Sequence, residues 1–277
     1  MLANMMHRVG HDLARATAIA SVSAFLSTST HAQSGRQEVP GYLPKDWAID
    51  ILSILPPPPE WGTAALAEDE SANRADLQLR GTLRWGLASE DADLSFPNVA
   101  STFSCALQAP ITQQYTPNLL HLLERTLTDA SNATNVAKEH YHRRRPFLIN
   151  DEPICTPDWQ DTLSKNGSYP SGHASIGWTW ALLLTEIRPD RSAAVLRRGR
   201  EFGESRLVCN VHWLSDVVES RLIASATFAR LLAEPEFVAD LKLAEKELDM
   251  VRSQGLLPSR DCAAESAALE VQPERAP

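Results

Sequence analysis

Apolar residues recur along this chain with the 3.6-residue period of helices, and no segment shows the two-residue alternation of a half-buried strand. The clearest case is 117–144, where Leu119, Leu120, Leu122, Leu123, Leu127 and Ala130 fall at helical spacing. Segments 171–187, 190–207, 212–233 and 235–251 continue in the same manner, and an Ala-, Leu- and Glu-rich helical stretch runs from 63 to the mid-80s. Segment 47–55 reads as a short amphipathic helix. It is stopped by Pro56-Pro57-Pro58-Pro59, because four consecutive prolines form a stiff connector that cannot be helical. Trp178 and Trp180 lie inside the apolar pattern of 171–187 and are expected to pack rather than to bind substrate. The pattern predicts an all-α protein, a single-domain helical bundle without internal repeats.

The segments outside this pattern set the boundaries. Residues 1–32 carry Arg8 and Arg15, then a small-residue apolar stretch, then a Ser/Thr run ending Thr30-His31-Ala32. That is the layout of a secretory signal peptide cleaved before Gln33. The helical domain is expected over 33–253. Segment 254–277 is Ala-, Glu- and Pro-rich and reads as a flexible C-terminal tail, except where Cys262 pins it.

The chain has 277 residues, 43% of them hydrophobic and 22% charged, which excludes disordered and collagen-like classes and is ample for a buried core. Its net charge of -9 repels phosphate backbones and anionic lipid, so neither nucleic acid nor a membrane surface is an expected partner. The longest apolar runs after the leader, 176–187 and 222–233, are too short to span a bilayer. Cys105, Cys155, Cys209 and Cys262 allow three pairings, and an exported chain is expected to form one or two disulfides. No Cys pair has zinc-binding spacing, so no metal site is expected.

Three clusters concentrate phosphate-type ligands. Lys138 stands seven positions, two helical turns, before Arg145-Pro146, so both cations can address one anion; Pro146 disfavours helical geometry at Arg145, which is expected to reach in from a helix end. The neighbouring Arg143 and Arg144 suggest instead a basic solvated face. In Gly167-Ser168-Tyr169-Pro170-Ser171-Gly172-His173, Ser171 is a good N-cap, and the amides of Gly172 and His173 then project from a helix N-terminus toward an oxyanion. Tyr169 is close enough to line the pocket. In Ser205-Arg206, five residues, His212, three residues, Asp216, a helix starting at His212 puts Asp216 one turn on. There it accepts from Nδ1 and exposes Nε2 as nucleophile or base.

Together, these clusters resemble the signature of the type 2 phosphatidic acid phosphatase superfamily, which also contains the vanadium haloperoxidases. The run Gly167 to His173 and the segment Leu55-Pro56-Pro57-Pro58-Pro59 are similar to the bacterial class A non-specific acid phosphatases. The resemblance implies the all-α fold of that superfamily and a periplasmic acid phosphatase acting on small phosphate monoesters. His212 would then be the nucleophile that becomes phosphorylated, His173 the general acid and base, and Asp216 the support of His212. Lys138, Arg145 and Arg206, with the Ser171 hydroxyl and the Gly172 amide, would neutralise the non-bridging oxygens. No cofactor is implied, and the class suggests a homo-oligomer. A neutral His212 beside a protonated His173 places the working range in mild acid. By resemblance Cys155 pairs with Cys209, leaving Cys105 for Cys262. Asn210-Val211 stand where class A members usually carry Gly-Tyr, and Ala174 where Thr is usual. The alternatives are a vanadium-dependent haloperoxidase using the same anion pocket and a non-catalytic phosphate-binding protein, which would need neither His212 nor Asp216.

Overall fold

The computed structural model describes residues 39–44 and 50–274, which belong to one compact unit; the expected signal segment lies outside the described residues. Among the described residues, eight helices of two turns or more carry the structure: α1 (Ala64–Asp76), α2 (Leu83–Glu90), α3 (Pro117–Tyr141), α4 (Gly172–Ile187), α5 (Ser192–Val208), α6 (Leu214–Leu231), α7 (Pro235–Ser253) and α8 (Cys262–Glu270). No strand occurs among the described residues, as the periodicity predicts. No helix among them is long and apolar enough to cross a membrane.

The centre is α4, apolar on nearly every side: Ile176, Trp180, Ala181, Leu183 and Leu184 are all fully buried. It packs against α3, α5, α6 and α7. Trp180 fills the middle of the core and donates its indole N–H to the Leu123 carbonyl and the Thr126 hydroxyl, both at 3.1 Å, so its polar edge is satisfied. The α4–α5 crossing is close because Gly177 and Gly199 meet there. A Cβ on Gly199 would stand 2.5 Å from the Ala181 Cβ and 2.9 Å from the Gly177 carbonyl oxygen. This approach brings His173, at the start of α4, toward Arg206, near the end of α5. The amphipathic α3 contributes Leu119, Leu120, Leu122 and Leu123 to the core and receives α7 through Phe237, Leu241, Ala244 and Leu248.

Several boundaries differ from the sequence pattern. Residues 45–49 lie outside the described set, and within the described part of the segment expected to be helical Ile51–Ile54 forms a single turn. The stretch from 63 to the mid-80s is two helices, separated at Gly81, whose φ of 77° takes the left-handed conformation open to glycine. The third long helix ends at Tyr141, because His142 takes a left-handed C-terminal conformation with φ 46°. Residues 143–146 therefore form a connector carrying Arg143 and Arg145, not a continuation of that helix.

The segment expected to be a loose tail contains a two-turn helix, α8. Asp261 caps α8 by accepting from the amides of Ala263 and Ala264 at 3.0 Å, α8 packs on α2, and Cys262 is disulfide-bonded to Cys105. Its Ala- and Glu-rich composition is that of a good helix former, which a covalent anchor and a buried Glu265 hold against the domain. The second disulfide joins Cys155 to Cys209.

Candidate active site

Two helix N-termini and two helix C-termini converge to build the site. Ser171 caps α4, its hydroxyl accepting from the Ala174 amide at 3.3 Å, which leaves Gly172 and His173 in the first turn. Gly167 lets the preceding loop pass against the end of α3, since a Cβ there would stand 2.7 Å from the Lys138 carbonyl oxygen. The Lys138 ammonium crosses back to donate to the Gly167 carbonyl at 3.0 Å. Tyr169 does not line a pocket: it is fully buried, and its hydroxyl donates to the Pro56 carbonyl at 2.5 Å, fastening the proline run.

At the end of α5 the Asn210 amide donates to the Leu207 carbonyl at 2.9 Å and the Val211 amide to the Arg206 carbonyl at 3.2 Å. These are the two bonds of a Schellman motif, and Asn210 occupies its left-handed position with φ 60°. That explains the departure noted at this position: the turn wants glycine, and asparagine is the side chain that tolerates αL best. Asn210 is held by bonds of 2.9 Å each from Asn73 and Asn150 to its carbonyl oxygen, and by its own donation to the Glu152 carbonyl. The motif reverses the chain within six residues, so Arg206 and His212 face one another.

His212 does not start α6, as the spacing had suggested; it lies two residues before it, and Trp213 is the N-cap. Asp216 reaches back over the helix end. Its Oδ2 accepts from the Trp213 amide at 2.8 Å and from His212 Nδ1 at 3.2 Å. On the other ring nitrogen, Arg145 Nη1 lies 3.1 Å from His212 Nε2 and donates to it. The two contacts fix one tautomer, protonated at Nδ1 with a lone pair on Nε2. Burial, then Arg145, Lys138 and Arg206, hold the His212 imidazole well below its ordinary pKa, so it is neutral.

The cations are poorly compensated. Arg145 is spanned by the Leu163 and Val211 carbonyls and the Asn166 amide oxygen, and burial lowers its pKa to about 10. Arg206 is fully buried and its Nε has no hydrogen-bond partner; burial and Arg145 lower it to about 9. Lys138 is pushed down to about 7 by burial and by Arg145. Three cations desolvated around one imidazole, with one donor left unsatisfied, form a site preorganised for an anion. Half-buried His173 donates from Nε2 to the Ala92 carbonyl at 3.1 Å and stacks on Phe202. Burial, then Arg206, lowers its pKa well below the ordinary value. Lys138, Arg145, Arg206 and Asp216 thus gather around the His212 imidazole, with His173 close enough to feel Arg206 and His212, while Ser171 and Gly172 stand at the start of α4.

Two residues went unseen. Arg143, expected on a solvated basic face, donates from Nη1 to Asp216 Oδ1 at 2.6 Å and from Nη2 to Asp69 Oδ2 at 2.6 Å. Asp69, buried on α1, also accepts from the Ser215 amide and hydroxyl, each at 2.7 Å. The carboxylate behind His212 is therefore itself clamped by an Arg–Asp pair.

Residues 119–234 match the PAP2 superfamily. The chain is 45% identical over 207 residues to a non-specific acid phosphatase of Providencia stuartii, covering 74% of this chain and 84% of that protein. It is 41% identical over 209 residues to an acid phosphatase of Zymomonas mobilis, covering 76% and 79% respectively. It is 42% identical over 203 residues to a non-specific acid phosphatase of Salmonella typhimurium, covering 73% and 81%. With helices as the regular structure of the described residues and relatives of this identity along most of its length, the chain belongs to the PAP2 superfamily, among its class A acid phosphatases.

Proposed function

We propose that this protein is an exported, metal-independent acid phosphatase that hydrolyses a broad range of phosphate monoesters through a phosphohistidine at His212. The observation that carries the reading is the His212 ring, bonded through Nδ1 to Asp216 while the Nε2 lone pair faces the buried cations. A phosphate entering the pocket draws Arg145 from Nε2 onto its own oxygens, together with Lys138, Arg206, the Ser171 hydroxyl and the Gly172 amide. The freed Nε2 attacks phosphorus in line, and the P–O bond to the leaving group breaks as the P–N bond forms.

The leaving oxygen takes a proton from His173. With Nε2 committed to the Ala92 carbonyl, Nδ1 is the nitrogen that carries it. The charge on the bound phosphate opposes the burial that otherwise keeps His173 neutral, so substrate itself arms the acid. Water then loses a proton to His173, attacks phosphorus and breaks the P–N bond, releasing inorganic phosphate and restoring His212. An acceptor alcohol in place of water would give phosphotransfer. Export follows from the layout of residues 1–32 and accords with the two disulfides; a homo-oligomer in the periplasm completes the proposal.

The test is hydrolysis of p-nitrophenyl phosphate in EDTA from mild acid to mild base, by wild type and His212→Ala, with vanadate as inhibitor and an alkaline quench to trap labelled protein. Activity in mild acid, sensitive to vanadate and lost with the label in the variant, is expected. Well-folded wild-type protein without activity, or a variant that keeps it, overturns the reading.

A further inference from the structure

Behind the pocket lies a buried ionic chain that the reaction itself does not use. Asp91, the C-cap of α2, is fully buried, and both its oxygens are occupied. Oδ1 accepts from Arg198 Nη2 at 2.5 Å, and Oδ2 accepts from Arg198 Nη1 at 3.2 Å and from the Ser205 hydroxyl at 2.6 Å. The residue after Asp91 is Ala92, whose carbonyl receives the His173 Nε2 proton. The residue after Ser205 is Arg206. One carboxylate thus fixes the backbone on which the general acid is oriented and the turn of α5 that presents a phosphate-binding cation.

Arg198 has a second carboxylate on its other edge. Glu265 Oε2 lies 3.4 Å from Arg198 Nε, and both side chains are buried. Glu265 belongs to α8, which starts at the disulfide between Cys262 and Cys105. The segment leading into α8 is tied down again by the Ser259 amide donating to the Ser104 hydroxyl at 2.7 Å and by Arg260 Nη2 pairing with Glu90 at 2.6 Å. Arg198 Nε and Glu265 Oε2 make no hydrogen bond, so Glu265 holds this edge of the guanidinium by charge alone, and without it Arg198 is held from the Asp91 side.

We propose that α8 is a positioning element of the phosphatase: Glu265, through Arg198 and Asp91, sets the place of His173 and Arg206, and the Cys105–Cys262 disulfide keeps that helix seated. This rests on the reaction proposed above and adds to it a dependence on the C-terminal helix. A loosened Asp91 lets the Ala92 carbonyl move from His173, removing a contact that favours the imidazolium, and lets Arg206 drift from the phosphate.

The test uses the full chain with Glu265→Ala, the double substitution Cys105→Ser with Cys262→Ser, and Glu270→Gln on the exposed end of α8 as control. Steady-state hydrolysis of p-nitrophenyl phosphate is measured across pH, with inhibition by inorganic phosphate. Expected for the first two proteins are a fall in kcat of about tenfold, an alkaline limb displaced to lower pH and weaker phosphate inhibition, with the control unchanged. A purely structural role lowers kcat with the folded fraction and leaves the alkaline limb and the inhibition constant where they were; that result overturns the proposal. Native-state hydrogen exchange of Glu265→Gln supplies a readout independent of turnover. Faster exchange at 92–95 and 206–207 supports the coupling, and a change confined to α8 refutes it. Inactive wild-type protein refutes the phosphatase reading instead, while the exchange measurement still decides the coupling.

Discussion

Replacing Asp216 with Asn exchanges one oxygen of a tightly held carboxylate for an NH2 group. Three donors converge on it: Arg143 Nη1 on Oδ1, the Trp213 amide and His212 Nδ1 on Oδ2. An amide offers one acceptor oxygen, so its NH2 must face a donor whichever way it turns. Turned toward Arg143 it opposes a guanidinium that has no way to withdraw its proton. Turned the other way it opposes the Trp213 amide and His212, and the imidazole can escape by moving its proton from Nδ1 to Nε2. That tautomer has no lone pair on Nε2, meets the Arg145 donor head-on and cannot attack phosphorus. Losing the reactive tautomer in this way is expected to cost roughly 10³–10⁴ in kcat, about 4–5.5 kcal/mol of activation free energy. The fold suffers less, because Arg143 keeps Asp69 as its counter-charge: the lost charge-assisted bond is worth about 1.5–3 kcal/mol. The assay is kcat for p-nitrophenyl phosphate, with calorimetry to show that the variant is folded at the assay temperature. A folded Asp216→Asn protein whose kcat stays within tenfold of wild type refutes the argument that this carboxylate selects the tautomer.

The pH dependence of ligand binding follows from Lys138. Its pKa is pushed down to about 7 by burial and Arg145 in the unfilled pocket, and a bound anion raises it again, so phosphate binding takes up a proton. Titration calorimetry in buffers of different ionisation enthalpy is expected to show that uptake, with affinity falling as pH rises through about 7. The two site histidines govern stability in acid. Both pKa values lie well below the ordinary one, so the unfolded chain binds more protons as pH drops below about 6.5 and the native state loses stability there. Melting temperature should therefore fall between pH 7 and pH 5, and less steeply in saturating inorganic phosphate; a flat profile contradicts the histidine burial. Gly199→Ala forces a methyl into the α4–α5 crossing, 2.5 Å from the Ala181 Cβ, and should destabilise by about 1–3 kcal/mol while lowering kcat, as His173 and Arg206 move apart. A melting curve and kcat equal to wild type would show that the crossing adjusts freely.

The residues legible in the sequence are those whose roles depend on local spacing. Ser171 is recognisable as a cap, and His212 with Asp216 as a pair, because four residues bring them together whichever way the helix start is placed. Arg143 is not legible in this way. Its meaning comes from Asp69 and Asp216, both distant in sequence, and one of them lies on a helix whose composition looks like any solvated Ala–Glu–Leu segment. Asp91 and Glu265 are hidden for the same reason. The helical class follows from the periodicity, whereas the split at Gly81 and the early end of α3 at His142 depend on single left-handed residues that leave no periodic trace. Composition alone argues for a loose C-terminal segment; the Cys105–Cys262 bond that anchors it, across 157 positions, is reached only as the pairing left over by the resemblance.

The Schellman turn at Asn210 bears on how this protein can change over evolutionary time. Three amide side chains from separate parts of the chain, Asn73 on α1, Asn150 and Asn210, satisfy one another around that turn. Glycine at 210 would keep the backbone conformation, yet it would strand two buried or half-buried amides that had Asn210 as a partner. A change at 73 or 150 alone would in turn leave Asn210 holding a left-handed conformation with less to fix it. A single change at any of the three therefore removes partners from the other two. The trio is an epistatic unit, to be kept or replaced together in any redesign of the loop between Arg206 and His212.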